Sequence, residues 1–131
     1  MLFLLTILFS IYTESPATQP RDIKASIKGN GYEFEFPNLP GGDRISHFEV
    51  EIRNTITDRL EVSSTQRHTI LSGSVVRFQW DGAVKGNQYQ IRFRGVNPSG
   101  EGPWSTPVTF GSSKSTLHYI LDKVNTKSKV N

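Results

Sequence analysis

The chain has 131 residues, enough for one domain with extended ends but not for two full domains. It has no cysteine, which excludes disulfides, zinc–thiolate sites and cysteine nucleophiles, while 35% hydrophobic and 11% aromatic residues supply one packed core. The formal charge of +3 is too small to name a polyanionic partner before the positions of the charges are considered.

Leu2 to Tyr12 is an apolar run, and Ser15, Pro16 and Ala17 place small residues after it. This predicts a secretory signal peptide over residues 1–17, too short for the roughly 20 residues a membrane-spanning helix needs. Cleavage after Ala17 would remove Glu14 and no Lys or Arg, leaving 15 − 11 = +4. No later stretch is apolar enough to span a membrane, so no transmembrane segment is expected.

A polar leader, Thr18 to Asp22, precedes Ile23, Ala25 and Ile27, whose alternation predicts a first strand. Gly29-Asn30-Gly31 makes a turn. Tyr32, Phe34 and Phe36 alternate with Glu33 and Glu35 in a second strand, followed by a loop from Pro37 to Arg44. Ile45, Phe48, Val50 and Ile52 mark a third strand, Leu60 and Val62 a short edge strand, and Arg67 to Leu71 another. Val76, Phe78 and Trp80 alternate with Arg77 and Gln79. Tyr89, Ile91, Phe93 and Gly95 then alternate with Gln90, Arg92 and Arg94, the period-two signature of a half-buried strand. Asn97 to Pro103 concentrates turn residues, and Trp104, Val108 and Phe110 follow as the return strand.

The run Tyr89-Gln-Ile-Arg-Phe-Arg-Gly-Val-Asn-Pro-Ser-Gly-Glu-Gly-Pro-Trp-Ser resembles the last two strands of a fibronectin type III module. That pattern has a tyrosine, alternating apolar residues, Asn-x-x-Gly-x-Gly and Trp-Ser. The resemblance covers about ninety residues, from Pro20 to Phe110. Phe36 stands where a tryptophan is common, Phe48 for tyrosine, Gly95 for alanine, Ala83 for leucine and Lys85 for proline, while Gly86 agrees. The resemblance implies an all-β, immunoglobulin-like, seven-stranded antiparallel sandwich over residues 18–110, held by core packing without disulfides. Phe36, Trp80, Tyr89 and Trp104 would be structural, with the Tyr89 hydroxyl bonding back to the backbone just upstream.

In the family's own count of seven strands the third pairs with the sixth, setting Glu49, Glu51 and Arg53 beside Arg92 and Arg94. The second pairs with the fifth, setting Glu33 and Glu35 near Arg77. Most strand-borne arginines therefore have local carboxylates, which argues against a heparin or nucleic-acid patch and for a solvated, self-paired surface.

Gly111 to Lys114 reads as a linker. Leu117, Ile120, Leu121 and Val124 then fall on one face of a possible helix of about three turns, and Lys123, Lys127 and Lys129 leave the end basic, so that residues 111–131 form a linker and basic tail.

No constellation supports catalysis. His47, His68 and His118 fall on different elements and show neither triad nor metal-ligand logic. Gly100-x-Gly102 follows a strand but opens no helix, so it is a turn rather than a phosphate loop. Asn97 is followed by Pro98, which blocks glycosylation there.

Two functions remain. In one, the chain is a secreted, monomeric module, without enzyme activity, cofactor or metal, that binds an extracellular or cell-surface protein. By family resemblance its loops at 37–44, 72–74 and 97–103 cluster at one end, making Asn38, Asp43, Arg44, Asn97, Ser99 and Glu101 candidate contacts. The outer face bearing Arg53, Arg92 and Arg94 is the alternative site. In the other, it is a structural spacer, or the truncated first module of a larger receptor, adhesion protein or enzyme.

Overall fold

The computed structural model describes residues 14–63 and 70–111 of the chain. The apolar run of the expected signal peptide, the expected strand positions Arg67 to Thr69 and the expected tail helix lie outside the described residues.

Among the described residues, strands form where alternation is strong. They are β1 (Lys24–Lys28), β2 (Gly31–Pro37), β3 (His47–Asn54), β4 (Leu60–Val62), β5 (Ile70–Ser72), β6 (Val75–Trp80), β7 (Tyr89–Asn97), β8 (Gly100–Glu101) and β9 (Val108–Phe110). A single turn of 3-10 helix spans Gly41–Asp43. One sheet runs β1-β2-β6-β5; the other runs β4-β3-β7, with β7 also pairing β8 and β9. Every pairing is antiparallel.

The core lies between the sheets. Phe34, Phe36, Phe48, Val50, Ile52, Val76, Phe78, Tyr89, Ile91, Phe93 and Phe110 are buried, and β2, β3, β6 and β7 contribute alternate residues. Burying such a side chain contributes roughly 1.5–3 kcal/mol before chain entropy is subtracted. The rings interlock at angles. Phe36 stands edge-on to Phe48 with centroids 5.2 Å apart, and Phe34 edge-on to Phe110 at 4.8 Å. Edge-to-face pairs add about 0.5–1.5 kcal/mol beyond burial. Phe36 thus fills its place between the sheets without the bulk of an indole.

The tyrosine corner is closed as expected, because the Val84 N–H donates to the Tyr89 hydroxyl at 2.8 Å. Trp80 packs edge-on against the Tyr89 ring at 5.0 Å. At Gly95, an added Cβ would stand 2.6 Å from Ile45 Cδ1 and 3.0 Å from Leu39 Cδ1. Two aliphatic side chains therefore occupy the room a methyl would need.

Three expectations are corrected. β1 begins one residue later than predicted, and all five of its residues are exposed. Ile27 retains 78% of its surface because it lies on an edge strand beyond the last core layer, whereas Ile23, just before the strand, packs against the core. The return strand is broken into β8 and β9, and Trp104 belongs to neither. Pro103 and Pro107 have no N–H to give the ladder. Between them Ser105 pairs with Phe93 by other means, its N–H donating to the Phe93 carbonyl and its hydroxyl accepting the Phe93 N–H. Finally, Glu33 lies opposite Gln79 and pairs across the first hairpin with Lys28 at 2.8 Å; only Glu35 reaches Arg77.

Candidate functional site

The loops expected to cluster at one end do so, and two asparagines join them. Asn38, just after β2, donates from Nδ2 to the Gly73 carbonyl at 3.3 Å, and its N–H donates to the Ser74 carbonyl. This ties the β2–β3 loop to the β5–β6 turn. Asn97, the last residue of β7, donates from Nδ2 to the Asp43 carbonyl at 2.9 Å, while its Oδ1 accepts the Ser99 N–H. This ties the β2–β3 loop to the β7–β8 turn. Amide side chains suit the task because each offers both donors and acceptors to backbone groups that no strand pairs.

The candidate contacts therefore divide. Arg44 and Glu101 are exposed, with Arg44 in the left-handed region at φ 55° as it closes the 3-10 turn. Asp43, Asn38 and Ser99 are half-buried. Asn97 is 6% exposed and works as part of the scaffold rather than as a displayed side chain.

A further participant lies outside the expected loops. The segment from Glu14 to Thr18 crosses this end of the sandwich. Asn97 Nδ2 donates to the Glu14 carbonyl at 2.7 Å, and the Thr18 N–H donates to Asp43 Oδ2 at 3.3 Å. Pro16 is buried, and a Cβ added at Gly102 would come within 2.8 Å of Pro16 Cβ and 3.0 Å of its carbonyl oxygen. Pro20, farther along, is fully buried. No periodicity marks such a segment, so only its prolines distinguished it from an unattached leader.

The alternative face is built differently. β3 and β7 set Glu49 opposite Arg94 and Glu51 opposite Arg92, and the ion pairs close at 2.8 and 2.7 Å. Both guanidinium carbons stand over the Trp104 ring, 4.2 and 4.3 Å from its centroid. Trp104 thus covers the arginines instead of entering the core. Arg53 pairs with Gln90 in register and turns to Asp58, donating to its carbonyl at 3.0 Å and its carboxylate at 3.4 Å. A shallow depression of about 270 Å³ lies between Arg53, Arg92 and Pro107. The charges here are spent on one another, which leaves little attraction for a polyanion.

Among the described residues no group of three or more His, Asp or Glu side chains could hold a metal ion, and no helix is long and apolar enough to cross a membrane.

Comparison with known proteins places this architecture. A sequence family described as the fibronectin type III domain matches residues 18–111. No curated protein sequence matches the chain. Solved structures that share its fold include the following three. The third fibronectin III domain of human KIAA0343 protein superposes with a TM-score of 0.58 at 18% identity, covering 77% of this chain and 86% of that one. A structure titled myokine structure gives 0.57 at 17% identity, covering 76% and 99%. The chicken CNTN1 FN1-FN3 domains give 0.56 at 12% identity, covering 76% and 33%.

Proposed function

This chain belongs to the fibronectin type III family, and from that premise we propose that it is a secreted, non-catalytic recognition module whose loops contact another extracellular or cell-surface protein. The observation that supports this reading is the joining of three loops by Asn38 and Asn97 into one surface on a rigid sandwich. A surface whose backbone is already ordered loses little conformational entropy on binding. Arg44 and Glu101 supply exposed charge of both signs there.

The test is cross-linking capture from extracellular fluid, comparing the wild type with a double variant, Arg44→Asn and Glu101→Ala. Asparagine tolerates the left-handed backbone at position 44. A partner captured by the wild type and lost by the folded variant is the expected result; equal capture by both rejects the loops as the site.

A second reading, the spacer, draws support from the ion pairs on the sheet faces, which leave those faces neutralised from within. Repeated capture of no specific protein favours it.

A further inference from the structure

The end of the sandwich that carries the loops also carries a notch, and part of the chain already sits in it. Its walls are the 3-10 turn at Asp43, the Asn97 side chain and the backbone at Gly102. Its occupant is the extended segment Glu14-Ser15-Pro16-Ala17. Recognition has two components. Asn97 Nδ2 donates to the Glu14 carbonyl, a backbone group that any residue offers, and the absence of a side chain at Gly102 lets the Pro16 ring lie against the chain just after β8. Such a site reads an extended backbone and one proline, because a proline ring brings apolar area with little conformational entropy left to lose.

The junction between occupant and wall coincides with the expected processing point. Ser15 and Ala17 are the small residues a signal peptidase reads, and Thr18 is the first residue beyond. Hydrolysis of the Ala17–Thr18 bond adds one water, leaving a carboxylate on Ala17 and an ammonium on Thr18. The Thr18 nitrogen already stands 3.3 Å from Asp43 Oδ2, so that hydrogen bond becomes an ion pair that anchors the new terminus to the wall. The occupant, no longer tethered, loses the roughly millimolar effective concentration that a short linker provides.

We propose that the notch between Asp43, Asn97 and Gly102 is a peptide-binding site, filled in the unprocessed chain by Glu14 to Ala17 and opened by cleavage after Ala17. Its ligand is an extended segment of a protein partner carrying a proline. This deepens the loop-recognition reading and rests on it and on secretion.

The experiment uses the chain as secreted by eukaryotic cells, its amino terminus read by mass spectrometry and its backbone amides labelled. The probe is the synthetic peptide Thr-Glu-Ser-Pro-Ala, residues 13–17, with a control in which the proline is replaced by glycine. A terminus at Thr18 is expected, with amide shifts confined to the neighbourhoods of Asp43, Asn97 and Gly102. Affinity is expected in the millimolar range, weakened about tenfold or more by the glycine control and by Gly102→Ala, whose methyl takes the place of the proline ring. Gly102 has no left-handed backbone to strain, and the new Cβ would stand 3.3 Å from the Gly95 carbonyl oxygen, so affinity is read only from a variant whose amide spectrum is as dispersed as the wild type's. A terminus at or before Glu14, no shifts at several times the expected dissociation constant, or equal binding by Gly102→Ala each overturns the proposal. If a partner is captured through the loops by a processed chain whose notch takes no peptide, the notch falls and the loop reading stands.

Discussion

The Tyr89 hydroxyl accepts the backbone N–H of Val84 at 2.8 Å, while the Tyr89 ring stacks on Phe110 at a centroid distance of 5.5 Å. One side chain thus closes the β6–β7 connection and anchors the return strand. Tyr89→Phe keeps the ring and removes the acceptor. The expected loss is about 1–2 kcal/mol, read as a lower urea midpoint with an unchanged slope. A midpoint equal to the wild type would show that the corner is held by packing alone.

Gly95 and Ile45 compete for one space. Gly95→Ala should destabilise by about 1–3 kcal/mol through overpacking, since the new methyl meets Ile45 Cδ1 at 2.6 Å. Ile45→Val removes that methyl, so the double variant should recover much of the loss. Strict additivity in thermal melts would place the strain elsewhere.

The Trp104 ring lies over two guanidiniums whose charges are already met by Glu49 and Glu51. Trp104→Ala should cost about 1–2 kcal/mol from lost cation–π contact and exposed arginine stems. A Glu51–Arg92 double-mutant cycle should return only about 0.2–1 kcal/mol, because both groups retain contact with solvent. A coupling several times larger would mean that Trp104 dries the pair.

Self-pairing of the strand arginines also predicts weak retention on heparin. Elution should come at or below physiological salt, where screening acts over about 8 Å. Retention well above it would expose a basic surface outside the described residues or a wrong reading of the paired faces.

Within the core, Phe36→Ala should cost about 3–5 kcal/mol, because its ring meets Phe48 at 5.2 Å and Phe93 at 4.8 Å and nothing small can collapse into the space. Differential scanning calorimetry gives the value; a loss under about 1 kcal/mol would show a core that rearranges freely.

Much of this fold was legible because a buried strand announces itself by period two. Phe34 and Phe36, Val50 and Ile52, and Ile91 and Phe93 alternate with charges in the sequence and point inward in the fold. The pairing of β3 with β7 followed from the family resemblance, and the ion pairs Glu49–Arg94 and Glu51–Arg92 came with it. Alternation misleads at the margins. Ile27 alternates as well as Phe34 does, yet a pattern of side chains cannot tell how far the facing sheet extends. Trp104, Val108 and Phe110 read as one strand because apolar spacing does not register the ladder donors that Pro103 and Pro107 lack. The attachment of Glu14 to Asn97 spans 83 positions through a backbone carbonyl, a contact to which no residue type in the leader testifies.

The break in the return strand has a consequence for crowding. A sheet edge with an unbroken row of amides is a template on which another chain can align and fuse. Here that edge offers two residues in β8, three in β9 and a proline-flanked interval between them, too short and too irregular for a neighbour to zip onto. At the opposite margin of the other sheet, β1 carries Lys24 and the Glu33-paired Lys28, charged side chains that an incoming strand would have to displace. The margin formed by β8 and β9 therefore offers a second copy of the chain no continuous ladder to join.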